Sequence, residues 1–336
     1  MGRTTALITL PNAKNCRSPR ELVGDFVTLF GTADPELLEH EGKAFTAGGR
    51  RYTVDVHGHS LSVYSGTGSR RTIAHDVIVR KIADIMGFAG LPGVAVEDAN
   101  VFKCCIDSTA RRRRYLQQLG SHTTGHGIRP DLSVPRHPFA RSAVGPSQHQ
   151  LYDVKTIGRT PTYHTPYRVQ PADQRARAVP GEYLRSAIQC DRTWNGTPPG
   201  TVGTFEAYLR SLPPVIGLGF GGYGEWSKEV DSLIGQLAEI ASAVPERLGC
   251  CHGPAQAQGQ YAQWARKHLH RESLREVSRC RHAALDRLLL RPTETFAGDP
   301  DHCRMMDDSP NDPGVANAWD SSDARGAHED RPPRGA

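Results

Sequence analysis

Two apolar, strand-like segments, Ile128 to Val134 and Gln150 to Ile157, follow one another across a Pro/Ser-rich loop, Pro135 to Gln148. Paired segments of this kind predict a hairpin whose faces must be covered by other elements. Upstream, Ala74, Val77, Ile78, Ile82, Ile85 and Met86 recur at three- and four-residue intervals, the stripe of an amphipathic helix over Thr72 to Met86, which Gly87 and Gly90 end. Downstream, Pro171 to Gln189 reads as an Ala/Arg-rich helix that Pro180-Gly181 is expected to kink or split. Then come a short helix at Thr204 to Leu212, a buried strand at Pro214 to Phe220, and a helix over Glu225 to Val244 with Val230, Leu233, Ile234, Leu237 and Ile240 on one face.

This order predicts an α/β fold, a mixed central sheet flanked by helices, over residues 72–244. Ahead of it, residues 1–71 form an N-terminal extension with a helix at Pro19 to Phe30 and an alternating stretch, Tyr52 to Tyr64, whose Gly58 suggests a hairpin. Residues 245–295 form a helical C-terminal addition, strongly helical from Tyr261 to Leu290, and 296–336, rich in Asp, Pro, Ser and Gly, is expected to be disordered. Val94 to Val96 and Val101 to Ile106 are short apolar pieces ahead of a basic run, Arg111 to Arg114, expected in a loop.

The 336 residues suffice for a sizeable core, and no apolar run approaches the roughly 18 residues of a membrane span. Ala6 to Leu10 is too short for a signal sequence, so an intracellular protein, cytoplasmic or nuclear, is expected. The net charge of +5 conceals an asymmetry: residues 292–336 carry ten acids and four bases, leaving the body strongly basic. A basic body favours a polyanionic partner, because Lys and Arg that neutralise phosphates release counterions. A polyanion such as nucleic acid is therefore the expected partner.

The eight cysteines contain no Cys-x-x-Cys pair, and His122 and His126 lie in a Gly-rich stretch that does not hold both rings on one helix face. Structural zinc is therefore not expected, and the thiols are expected to be reduced. Gly217, Gly219 and Gly222 satisfy G-x-G-x-x-G, but no second strand follows the next helix, so these glycines are read as allowing close backbone approach rather than dinucleotide binding. No G-x-S-x-G occurs.

The chemistry concentrates on the hairpin. Asp131 and Asp153 are 22 residues apart, a separation that returns the second carboxylate beside the first, and Asp153 and Lys155 share a strand face. Two carboxylates and the Val154 carbonyl are hard oxygen donors suited to Mg²⁺ or Mn²⁺, and an adjacent ammonium positions water or neutralises developing charge. As a purely structural arrangement, Asp131 is a turn acid and Asp153 with Lys155 an exposed ladder pair.

Pro130-Asp131 followed by Asp153-Val154-Lys155 resembles the PD-(D/E)XK, or restriction-endonuclease-like, nuclease superfamily. The resemblance covers 128–157 by motif and 72–244 by element order, a helix before the hairpin and a helix and strand after it. It implies metal binding by Asp131 and Asp153 and assistance to the attacking water by Lys155. Members often carry a Glu on the first helix; here that helix offers His75, Asp76 and Asp84, so Asp76 is taken as the additional acid, with Glu97 in reserve. Arg175, Arg177 and Arg185, with Arg111 and Arg112, are the expected phosphate contacts. The expected activity is that of a Mg²⁺-dependent (or Mn²⁺-dependent) deoxyribonuclease, an endonuclease of mobile-element origin. The alternatives are a nucleic-acid-binding protein that kept the fold but lost catalysis, and a protein-interaction scaffold.

Overall fold

The computed structural model describes residues 18–30, 32–47, 50–63, 70–120, 127–135, 149–157, 170–243 and 253–290. The His122/His126 loop and the acidic segment 296–336 lie outside the described residues. In chain order come α1 (Pro19–Phe30), α2 (Pro35–Leu38), β1 (Ala44–Ala47), β2 (Arg50–Thr53), α3 (His59–Val63), α4 (Arg70–Ala89), β3 (Ala95–Val96) and α5 (Thr109–Gly120). They are followed by β4 (Leu132–Pro135), β5 (His149–Thr156), α6 (Gln170–Cys190), α7 (Thr204–Ser211), β6 (Ile216–Phe220), α8 (Lys228–Ser242) and α9 (Pro254–Leu290). Among the described residues, no helix is long and apolar enough to cross a membrane.

The central sheet is mixed, with strand order β3-β4-β5-β6. The β3–β4 and β4–β5 pairs are antiparallel, and β6 joins β5 in parallel after the α6 crossover. Alternation along β5 sends its side chains to two different cores. Tyr152 and Val154 join Ile78, Ile82, Met86, Leu233 and Leu237, contributed by α4 and α8. Leu151 joins Tyr115, Val179, Tyr183 and Phe205 on the other face. β5 is buried on both faces from Gln150 to Val154, so its polar members Gln150 and Asp153 lie inside along with Leu151, Tyr152 and Val154. The long helix α9 adds Tyr261, Ala265 and Leu269 to the α4/α8 core, and the Tyr261 hydroxyl donates to the Ile85 carbonyl at 2.6 Å.

Several local expectations change. Pro180 lies inside α6, which runs unbroken from Gln170 to Cys190. The proline has no N–H to give the Ala176 carbonyl, and that carbonyl instead lies over Gly217 of β6, where the missing Cβ leaves it room. Sheet packing thus accommodates the defect that proline introduces. Gly219 stands in the same relation to the Ala172 backbone, so these two glycines of the G-x-G-x-x-G pattern serve helix–sheet approach.

The hairpin expected around Gly58 lies earlier, between β1 and β2. After β2 the Asp55 carboxylate accepts the backbone N–H groups of His57, His59 and Ser60, which caps a helical turn instead of starting a return strand. Val101 to Ile106 holds a 3-10 turn, Lys103–Cys105, and Arg111 to Arg114 lie on α5, started by Ser108 accepting from the Arg111 and Arg112 amides.

The N-terminal elements pack on α9 through ion pairs. Arg20 reaches Asp286 at 2.7 Å, Arg279 reaches Glu21 at 2.7 Å, and Arg281 reaches Asp34 at 2.8 Å. The last pair is almost fully buried, both side chains being 2% exposed.

Candidate functional site

Asp131 immediately precedes β4, and the register that pairs Leu132 with Tyr152 brings it level with Asp153 on β5. Its backbone is held by the Glu97 amide, which donates to the Asp131 carbonyl at 2.9 Å. Its side chain turns to β5, where Oδ2 accepts the Val154 N–H at 2.6 Å.

Asp153 and Lys155 project toward α6, the same-face placement expected of an i, i+2 pair on a strand. Lys155 Nζ is 2.7 Å from Asp153 Oδ2 and 3.5 Å from Glu182 Oε2. The Tyr183 hydroxyl donates to Asp153 Oδ1 at 3.1 Å, and Glu182 Oε1 takes the Arg175 guanidinium at 2.6 Å. This side of the site is a chain of alternating charge, from Asp153 through Lys155 and Glu182 to Arg175.

From the opposite layer, α4 supplies His75. Its Nε2 lies 3.2 Å from Asp131 Oδ2 and 3.2 Å from the Val154 carbonyl oxygen, while Nδ1 lies 3.3 Å from Asp76 Oδ1. Two oxygens, one from the residue before β4 and one from β5, therefore converge on one nitrogen.

The electrostatics follow from burial against paired charge. Burial pushes the Asp153 carboxyl up and Asp131 adds to that, while the Lys155 ammonium pulls it back. Burial pulls Lys155 down, but the Asp153 and Glu182 carboxylates outweigh it and hold the ammonium charged. For His75, burial again opposes charge, and the hydrogen bond and charge of Asp131 overcome it, raising the imidazole to about 9.

The structure thus brings together Asp131, Asp153, Val154 and Lys155. Asp76 reaches them through the His75 ring, and the Glu97 carboxylate pairs instead with Arg129 at 3.3 Å. Arg177, mostly exposed, lies 3.8 Å from Asp173, and Arg185 is exposed on the same helix. Arg111 donates to the Trp194 carbonyl and Arg112 to the Ile106 carbonyl, so both guanidinium groups tie α5 to neighbouring backbone. Their neighbours Arg113 and Arg114 are exposed.

Three residues were not assigned a role from the sequence: His75, Glu182 and Tyr183. Their signal is positional. Tyr183 is the polar-tipped member of the buried α6 stripe Ala172, Ala176, Val179, Tyr183, Ala187 and Cys190. His75 begins the α4 series that continues at Val79, Ile82 and Met86 on the core side.

Asp131 Oδ2, the Asp153 carboxylate and the Val154 carbonyl are donors of the hard type that Mg²⁺ or Mn²⁺ takes, and two of them already stand together at the His75 nitrogen. Among the described residues, no group of three or more His, Cys, Asp or Glu side chains is placed to hold a metal ion by itself. An ion here would rest on two carboxylates, a backbone carbonyl and water. No protein-family model, curated protein or solved structure matches the chain.

Proposed function

We propose that this chain is a divalent-metal-dependent nuclease of the restriction-endonuclease-like type, hydrolysing phosphodiester bonds of DNA. The observation that carries the reading is that Asp131 Oδ2 and the Val154 carbonyl gather at the His75 Nε2 nitrogen, 3.2 Å from each, beside the Asp153–Lys155 pair. The element order supports it as well, with α4 before the hairpin and α6 and β6 after it. The basic body, with Arg113, Arg114, Arg177 and Arg185 exposed, supports a polyanionic substrate.

In this reading Asp131, Asp153 and the Val154 carbonyl hold Mg²⁺ or Mn²⁺, which when bound supplies Lewis acidity to the phosphodiester and to the attacking water. Asp131 is fixed by the Val154 amide and Asp153 by the Tyr183 hydroxyl, so neither carboxylate must reorganise during the reaction. Lys155, kept charged by Asp153 and Glu182, orients the water and neutralises negative charge building on the phosphoryl oxygens. Arg175, drawn to Glu182 next to that ammonium, offers a second cation to the substrate backbone.

A second reading, a nucleic-acid-binding protein without catalysis, is favoured by one observation: the α4 acid Asp76 turns to His75 rather than to Asp131. Supercoiled plasmid separates the two. The nuclease nicks or linearises it with Mg²⁺ or Mn²⁺, stops with chelator, and in Asp153→Ala keeps binding but loses cutting. Wild-type protein that binds the plasmid and leaves it intact under all these ions supports the second reading.

A further inference from the structure

We infer that His75 is a direct nitrogen ligand of the metal ion, and that the site therefore prefers Mn²⁺ and later first-row divalent ions over Mg²⁺. The inference rests on the nuclease reading and goes beyond it, since that reading needs only oxygen donors.

The first argument is spacing. Ligands on adjacent vertices of an octahedron with bonds of about 2.1 Å lie about 3.0 Å apart. His75 Nε2 is 3.2 Å from Asp131 Oδ2 and 3.2 Å from the Val154 oxygen, the spacing of neighbouring vertices. The two nitrogen–oxygen distances thus match two edges of an octahedral shell, and the Asp153 carboxylate acts on both His75 and Asp131 through its charge.

The second argument is what stands behind the ring. An imidazole that ligates through one nitrogen commonly donates its other N–H to a carboxylate, which fixes the ring and raises its basicity. His75 Nδ1 has such a partner in Asp76 Oδ1 at 3.3 Å. Asp76 is then a positioning residue, acting through His75.

Without an ion, Nε2 faces two acceptors and carries a proton toward them. Ion binding exchanges that proton, released to solvent, for the metal, leaving the neutral tautomer with Nδ1–H on Asp76. The borderline nitrogen donor disfavours Mg²⁺, which demands hard oxygen, relative to the transition ions. The ring comes from the layer opposite Lys155 and leaves the Lys155 side of the ion to substrate and water.

Pulsed EPR of the full chain loaded with Mn²⁺ reads ligand identity without reference to cleavage. Wild-type protein should show the hyperfine coupling of a directly bound imidazole ¹⁴N. In His75→Ala, shown to be folded by circular dichroism, that coupling should vanish and the Mn²⁺ dissociation constant should rise by about tenfold or more. In His75→Asp, an oxygen donor should restore Mg²⁺ binding and narrow the preference for Mn²⁺. Mn²⁺ bound in the wild type without ¹⁴N coupling overturns the inference and leaves the nuclease reading intact, a result that depends on no variant. Absence of any divalent ion at Asp131 and Asp153 overturns both.

Discussion

Gly217 lies so close beneath Ala176 that a Cβ on the glycine would overlap the alanine carbonyl oxygen and crowd Val179. Gly217 is also the parallel-register partner of Asp153, so its bareness is what lets α6 settle over β5 and deliver Tyr183 to the Asp153 carboxylate. Gly217→Ala should destabilise the protein by about 1–3 kcal/mol, the usual cost of overpacking, as read by chemical denaturation. Gly235→Ala, in α8 with nothing within 4 Å of the new Cβ, serves as the contrast; it should be neutral or stabilising by up to about 1 kcal/mol.

Removing the Tyr183 hydroxyl tests the support of the buried acid. Tyr183→Phe keeps the ring in its core stripe but leaves Asp153 Oδ1 without its donor. A loss of about 1–3 kcal/mol is expected, the cost of a buried acceptor deprived of its partner. Because the Tyr183 hydrogen bond favours the ionised carboxylate, carboxyl NMR should find Asp153 titrating higher in the variant than in the wild type.

The pH dependence of the metal-free protein follows from His75. Its imidazole rises from the ordinary 6.5 to about 9, so protonation favours the folded state. The resulting stability, up to about 3 kcal/mol, is fully present below about pH 6.5 and is lost as the pH climbs through about 9. In chelator, the stability difference between wild type and His75→Ala should shrink across that window. A difference that is flat with pH, or grows as pH rises, would contradict the assigned contacts of the ring.

The Arg281–Asp34 pair anchors the N-terminal elements to α9, and its burial pushes the guanidinium pKa down. Arg281→Met strands Asp34 in the interior and should cost about 3–5 kcal/mol. Adding Asp34→Asn removes the stranded charge while keeping a side-chain oxygen for the α2 cap at the Glu36 amide. The double variant should therefore be more stable than Arg281→Met alone, a difference that a thermal-unfolding comparison reads directly.

The hairpin, α4, α6, β6, α8 and α9 were legible in the sequence because each carries its own apolar pattern, with burial on two faces making β6 a continuous run without charged or polar side chains. The unbroken α6 was not, since the tolerance of Pro180 depends on Gly217, a residue 37 positions away on a different element. Asp131, Asp153 and Lys155 were found by spacing along one hairpin. His75 and Tyr183 come from helices packed on opposite faces of the sheet, and only the three-dimensional stacking of those layers reveals that they reach the same pair of carboxylates from two sides. Fixed alternation on β5 likewise foretold that Asp153 and Lys155 share a face, whereas the capping of α3 by Asp55 turned on a choice among backbone donors that periodicity does not register.

Anomalous scattering from a crystal of the protein grown with Mn²⁺ tests the central claim most directly. The expected result is one strong peak bonded to Asp131, Asp153 and the Val154 carbonyl at about 2.2 Å, near the metal–oxygen distances of such ions. Saturating Mn²⁺ with no peak between those residues would contradict it.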